Sequence, residues 1–167
     1  MEGLKKPKTV LFDCPGYGDT FGCYRVLSNG YFHYRVFSKV KNVKFIFTFP
    51  FGDLDGTASM VASAFKDFIS GFDSFDKIKE EIIAATSFMV TKVPRNYDLA
   101  AVRRTVSSIE LRTTNRRLNN NYLEFRDQMI RNNKIFILHQ AEVGRLCNDK
   151  NSVLAEIDKS CEFWNRE

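Results

Sequence analysis

The chain has 167 residues, 44% of them apolar and 27% charged, and its 25 Lys and Arg against 20 Asp and Glu give a formal charge of +5. That balance excludes a disordered, collagen-like or low-complexity chain, and the length fits one domain. The mild basicity permits nucleic acid or a membrane surface as a partner without arguing for either.

Thr9–Asp13 is a short apolar run with the length and β-branched content of a buried strand. It stops at the Pro- and Gly-rich turn Cys14–Thr20. From Tyr24 to Ser38 the pattern predicts a helix, with Val26, Phe32 (or Tyr31), Val36 and Phe37 as its apolar stripe, although Asn29-Gly30 favours a turn. Val43–Phe49 predicts a second buried strand, ended by Pro50 and Gly52. Met60, Val61, Ala64, Phe65, Phe68 and Ile69 recur at helical spacing, with Thr57 or Ser59 as a cap. Ser74–Ala85 predicts another helix, with Ile78, Ile82 and Ile83 facing inward and Lys77 and Glu81 spaced as an i,i+4 pair.

Ser87–Val93 predicts a third strand, closed by Pro94. Leu99, Val102, Val106 and Ile109 form one helical stripe and Leu118, Tyr122, Phe125 and Met129 another, with a break expected over Arg112–Asn121. Lys134–His139 is the fourth predicted strand, and Ser152–Trp164 a last helix capped by Ser152 or Asn151. Strands alternating with amphipathic helices predict an α/β fold: a mostly parallel sheet of about four strands with helices on both faces.

No run approaches the roughly 20 apolar residues needed to cross a bilayer, and the polar stretch Met1–Lys8 lacks the apolar core of a secretory signal. The four cysteines, Cys14, Cys23, Cys147 and Cys161, include no CxxC pair. They fit reduced thiols and a cytoplasmic location better than a metal knot or disulfide framework. His33 and His139 have no carboxylate or Cys at ligand spacing, and neither Cys14 nor Cys23 has a His base nearby in sequence. All four read as structural residues.

In an open α/β sheet, ligands meet the carboxyl ends of the strands. The first predicted strand is followed there by Asp13-Cys14-Pro15-Gly16, a DxxG. An Asp at such a position can hold Mg²⁺ through water, and a Gly lets a backbone N–H approach a phosphate closely. The plain alternative is an Asp that fixes the strand-to-turn transition.

Val10–Thr20, read as VLFDCPGYGDT, resembles the hhhDTPGFGDT segment of septin-like and AIG-type GTPases in the P-loop GTPase superfamily, and of protist proteins carrying that domain. Cys14 replaces the usual Thr. The resemblance implies that Asp13 is the magnesium-side Asp and that the Gly16 amide contacts the γ-phosphate. Thr91-Lys92-Val93-Pro94 resembles the guanine motif [NT]KxD, which implies that Thr91 and Lys92 flank the base, while Pro94 stands where the guanine-reading Asp would be. GTP and Mg²⁺ are the implied cofactors, GTP hydrolysis the implied activity of an intact domain, and other G domains the implied partners.

No GxxxxGK[ST] occurs in the sequence. The resemblance therefore implies a single partial GTPase-like domain over residues 1–167: an incomplete Ras-like P-loop NTPase fold lacking the P-loop strand, in which either the sheet closes up, with Thr9–Asp13 pairing directly with Val43–Phe49, or the chain is a fragment of a longer GTPase. It is expected to hydrolyse no GTP and to bind nucleotide weakly or not at all. The alternative is a nucleotide-independent pseudo-GTPase interaction module. A weaker alternative is RNA or anionic-membrane binding through Arg103, Arg104, Arg112, Arg116, Arg117, Arg126 and Arg131, with Tyr122 and Phe125 interleaved. Against that, Glu110, Glu124 and Asp127 dilute the charge, and a solvated helical face explains the arginines as well.

Overall fold

The structure, a computed structural model, describes residues 12–13, 30–32, 34–36, 38–54, 59–72, 74–111, 113–140, 150–160 and 164–165. Most of the first predicted strand, Thr9–Leu11, lies outside them. Phe12 and Asp13 are exposed and belong to no strand, so that strand does not extend to its predicted end.

Residues 30–32 and 34–36 form a helix, α1, closed by Ser38 N–H donating to the Tyr34 carbonyl at 2.8 Å. Its predicted inward stripe is corrected in part: Tyr31 and Phe32 are exposed. Strand β1 (Asn42–Val43) follows, then β2 (Phe45–Pro50), so the predicted second strand is divided at Lys44. A turn of 3₁₀ helix at Phe51–Asp53 leads into α2 (Ser59–Ser70) and α3 (Phe75–Ala84). Ser74 occupies the cap position of α3 without a capping side-chain bond. Then come β3 (Thr86–Val93), α4 (Leu99–Ser107), α5 (Arg116–Arg131), β4 (Ile135–His139), α6 (Lys150–Ser160) and β5 (Trp164–Asn165).

Two of these corrections concern helix ends. The run Asn119–Asn121 lies inside α5 rather than in a break. Asn115 caps the helix, its Oδ1 accepting from Leu118 N–H at 3.1 Å. At the other end of the chain, α6 begins at Lys150, so neither Asn151 nor Ser152 caps it, and Trp164 lies beyond it in β5.

The sheet is parallel, in the order β2-β3-β4, with Phe45 opposite Thr86, Phe47 opposite Phe88, and Phe88 opposite Ile135. Three strands rather than four are present among the described residues, beside a two-residue antiparallel ladder of β1 with β5. Because successive strands are laid down in one direction, right-handed crossovers bring α2–α3 and α4–α5 to the same face.

The aromatic pattern shows it. Phe45, Phe47 and Phe49 alternate onto that face. Phe47 meets Phe68 of α2 edge-on at 4.7 Å and Phe125 of α5 at 6.3 Å, and Phe125 also touches Phe65 at 4.7 Å and Phe88 at 5.5 Å. Tilted and edge-on rings at these separations are favourable beyond the area they bury. Val102 and Val106 of α4 and Ile82 and Ile83 of α3 complete this core.

On the opposite face, Ile46, Met89, Phe136 and Leu138 are half-buried. Helix α6 crosses this side: it packs on β4, while Lys44 at the foot of β2 donates to the Asp158 carbonyl at 2.7 Å and pairs with its carboxylate at 3.1 Å.

Polar contacts fasten the helices. Lys134, only 5% exposed, donates through Nζ to the carbonyls of Ile83 and Ala84 at 3.2 and 2.5 Å, satisfying groups left open at the end of α3. Its own N–H donates to Met129 O of α5, and its carbonyl accepts from Phe88 N–H of β3. Between α3 and α5, Asp76 accepts from Asn121 Nδ2 at 3.0 Å and pairs with Arg117. Those two partners, the Asn121 amide foremost, hold the Asp76 carboxyl below its usual range.

Two outcomes follow from this packing. Phe125→Ala should cost about 3–5 kcal/mol in urea unfolding, because Phe125 is fully buried where four other rings converge. The ionised Asp76 stabilises the fold above the ordinary carboxylate pKa of about 4, and this contribution is lost as the pH falls through its lowered value. Asp76→Asn should therefore differ from the parent near neutrality and converge with it in acid, as measured by thermal unfolding at a series of pH values.

Candidate functional site

A parallel sheet collects its strand ends on one edge, and here the carboxyl edge gathers Pro50, Phe51 and Asp53 after β2, Thr91–Tyr97 at the end of β3, and His139–Gln140 at the end of β4. The pairing of β3 with β4 is regular from Phe88 to Val90 and then slips: Val90 lies opposite Ile137, but Val93 lies opposite His139. Three steps along β3 match two along β4, so β3 carries a bulge at Thr91–Lys92.

Lys92 takes up the extra residue in the left-handed region, at φ 55°. For a residue with a Cβ this conformation costs about 1–2 kcal/mol. The bulge is pinned from β4: Gln140 N–H donates to the Val93 carbonyl at 2.9 Å, and His139 Nδ1 lies 3.3 Å from the same oxygen. Lys92 is exposed, while the half-buried Thr91 reaches the Phe49 carbonyl of β2 through its hydroxyl at 3.5 Å. Tyr97 stacks at a tilt on Phe51, 4.7 Å between ring centres, and closes one side of the edge. Asp98 is engaged as the cap of α4, accepting from Ala101 N–H at 2.7 Å.

The four residues singled out from the sequence thus fare differently. Thr91 and Lys92 stand together at the carboxyl edge of the central strand. Asp13 is exposed, and Gly16 lies outside the described residues. Among the described residues no group of three or more His, Cys, Asp or Glu side chains is placed to hold a metal ion. Pro94, which follows Val93 at the end of β3, has no carboxylate to offer at this edge.

The arginine-rich segment does not form one basic surface. Arg117 pairs with Asp76, and Arg126 pairs with Asp127 while donating to the Ile109 carbonyl at 3.0 Å. Arg112 lies outside the described residues. Tyr122 and Phe125 are buried in the core, so neither ring is open to stack on a base. Burial also pushes the Tyr122 phenol well above its ordinary range.

Arg103 points elsewhere. It lines a cleft of about 320 Å³ near the amino end of β4, with Leu99, Phe136, Val153 and Glu156, and its buried Nε has no hydrogen-bond partner. Neither this cleft nor the bulge at Lys92 has a local signal in the sequence, since both arise from the register of β4.

No family model matches the chain, and no curated protein or solved structure matches it either. Among the described residues no helix is long and apolar enough to cross a membrane.

The backbone at Lys92 gives a direct test of the bulge. Lys92→Gly should hold stability or raise it by up to about 1 kcal/mol, because glycine enters the left-handed region freely. Lys92→Val should lower it by about 1–2 kcal/mol, since a β-branched residue is strained there. Urea unfolding of the two variants reads the difference.

Proposed function

We propose that the chain is a GTPase-like α/β module whose carboxyl sheet edge carries a weakened base site, and that it works by association rather than by turnover of GTP. The bulge at Lys92 carries this reading. An extra residue, a left-handed non-glycine backbone and an exposed ammonium coincide at Thr91–Lys92, the pair that matches the first two positions of the guanine motif. Bulges and strained residues gather where a fold re-aims a side chain toward a ligand. A lysine presented there can lay its apolar stem along the face of a base while its ammonium stays in water.

The site is weak for two reasons. Pro94 offers no carboxylate, and each missing charge-assisted hydrogen bond forgoes about 1.5–3 kcal/mol. The sequence also holds no GxxxxGK[ST], which would supply the amide cradle, the Lys and the metal-binding hydroxyl for the phosphates. Asp13 and Gly16 correspond, in this reading, to the magnesium and γ-phosphate side of the ancestral pocket.

Guanosine added to the isotope-labelled protein should shift the amide resonances of residues 91–95 and His139, with weak affinity, and GTP with Mg²⁺ should release no phosphate. Pro94→Asp should strengthen guanosine over adenosine by about tenfold or more, as a restored charge-assisted contact requires. Tight saturable heat on titrating GTP and Mg²⁺, or guanosine shifts absent from this edge, would overturn the reading.

A further inference from the structure

Helix α1 and the turn after it present a surface that the sheet edge does not explain. Tyr31 and Tyr34 are 63% and 64% exposed, although tyrosines in a folded chain ordinarily bury most of the ring. Spaced i,i+3 on a helix, they share a face, and Arg35, four residues after Tyr31, lies on the same side with its guanidinium carbon 5.9 Å from the Tyr31 ring centre. Lys39 and Lys41 follow directly where the helix closes, both exposed.

No salt bridge among the described residues engages Arg35, Lys39 or Lys41. The sequence contains no Asp or Glu between Asp19 and Asp53, so the positive field there is not diluted from within the segment. The surface therefore combines two open rings, a cation stacked on one of them and two further cations within a few residues.

We infer that this face of α1, with Tyr31, Tyr34, Arg35, Lys39 and Lys41, binds single-stranded nucleic acid. Rings exposed beside cations are the elements of single-strand recognition: bases stack on the rings while the cations track the phosphates. The other occupants fit less well. A second copy meeting this face through the same face would bring like charges together across the interface. A membrane would call for several exposed Trp, Phe or Leu side chains on one face, whereas α1 offers Phe32 alone, 36% exposed, and the two most exposed rings are phenols that keep a hydroxyl in water. Duplex nucleic acid offers phosphates but no free base faces, so the rings would go unused.

The test uses the full chain and a fluorescein-labelled, unstructured RNA 12-mer of mixed sequence, followed by anisotropy. With three cations engaged, log K should fall against log salt with a slope of about −2, so that affinity drops roughly 16-fold between 50 and 200 mM salt. The doubly substituted Tyr31→Ala/Tyr34→Ala protein should bind roughly tenfold or more weakly, and Tyr31→Phe/Tyr34→Phe should retain most of the affinity, because stacking needs the ring and not the hydroxyl. Lys39→Ala/Lys41→Ala should flatten the salt slope by about 1.4.

All five positions are exposed, and far-UV circular dichroism confirms that each variant is folded before it is compared. Absence of RNA binding at 50 mM salt overturns the inference, as does binding indifferent to loss of the two rings, or equal affinity for a duplex of the same length. Binding to phosphatidylserine vesicles that is lost with the tyrosines, while RNA is ignored, also overturns it and gives the face to a membrane.

Discussion

The architecture turns on one buried ammonium. Lys134 sits where the last turn of α5 gives way to β4, and its groups reach three other elements: Nζ to the open carbonyls of α3, N–H back to α5, and carbonyl to Phe88 of β3. A cation at a helix carboxyl terminus is favoured by the helix dipole as well as by the hydrogen bonds. The left-handed residue before it, Asn133 at φ 55°, turns the chain so that the lysine enters the sheet side with its side chain under α3. The contact fixes where β4 begins relative to β3, and every later feature of the sheet inherits that register.

From that fixed point the aromatic layer becomes possible. With Phe88 opposite Ile135, the rings of Phe47 and Phe88 project to one face at the same height, and Phe125 of α5 drops between them and Phe65 of α2. Tilted and edge-on rings thus join the sheet to α2 and α5, beside the aliphatic side chains of α3 and α4. The pairing that is anchored at the amino end has to absorb its one extra residue at the other end, which is why the irregularity falls on Thr91–Lys92 and leaves the middle of β3 undisturbed.

Much of this was legible in the residues. Continuous apolar runs marked β2, β3 and β4, because a strand covered on both faces needs no alternation. Four-residue spacing found α2 and the stripes of α4 and α5, and Phe125 and Met129 are buried as that spacing requires. The failures have physical causes. Asn119–Asn121 looked like a break because Asn competes for backbone hydrogen bonds. In the fold, Asn121 spends its amide on Asp76 and Asn115 takes the capping role, so the helix runs through. Tyr31 fitted an apolar stripe by spacing, yet nothing in the pattern distinguishes an inward ring from an outward one. At the site, the Thr–Lys pair could be read from its likeness to a motif, whereas its bulged backbone could not, since a register slip is a property of two strands and only one of them was in view.

The short ladder of β1 with β5 joins residues 42–43 to residues 164–165, the widest span in sequence of any strand pairing described. Closing so long a loop costs chain entropy that two residue pairs repay only in part. A pairing that closes so long a loop with so few bonds is expected to open locally at a lower free energy than the parallel sheet, together with the Lys44–Asp158 bond at the foot of β2.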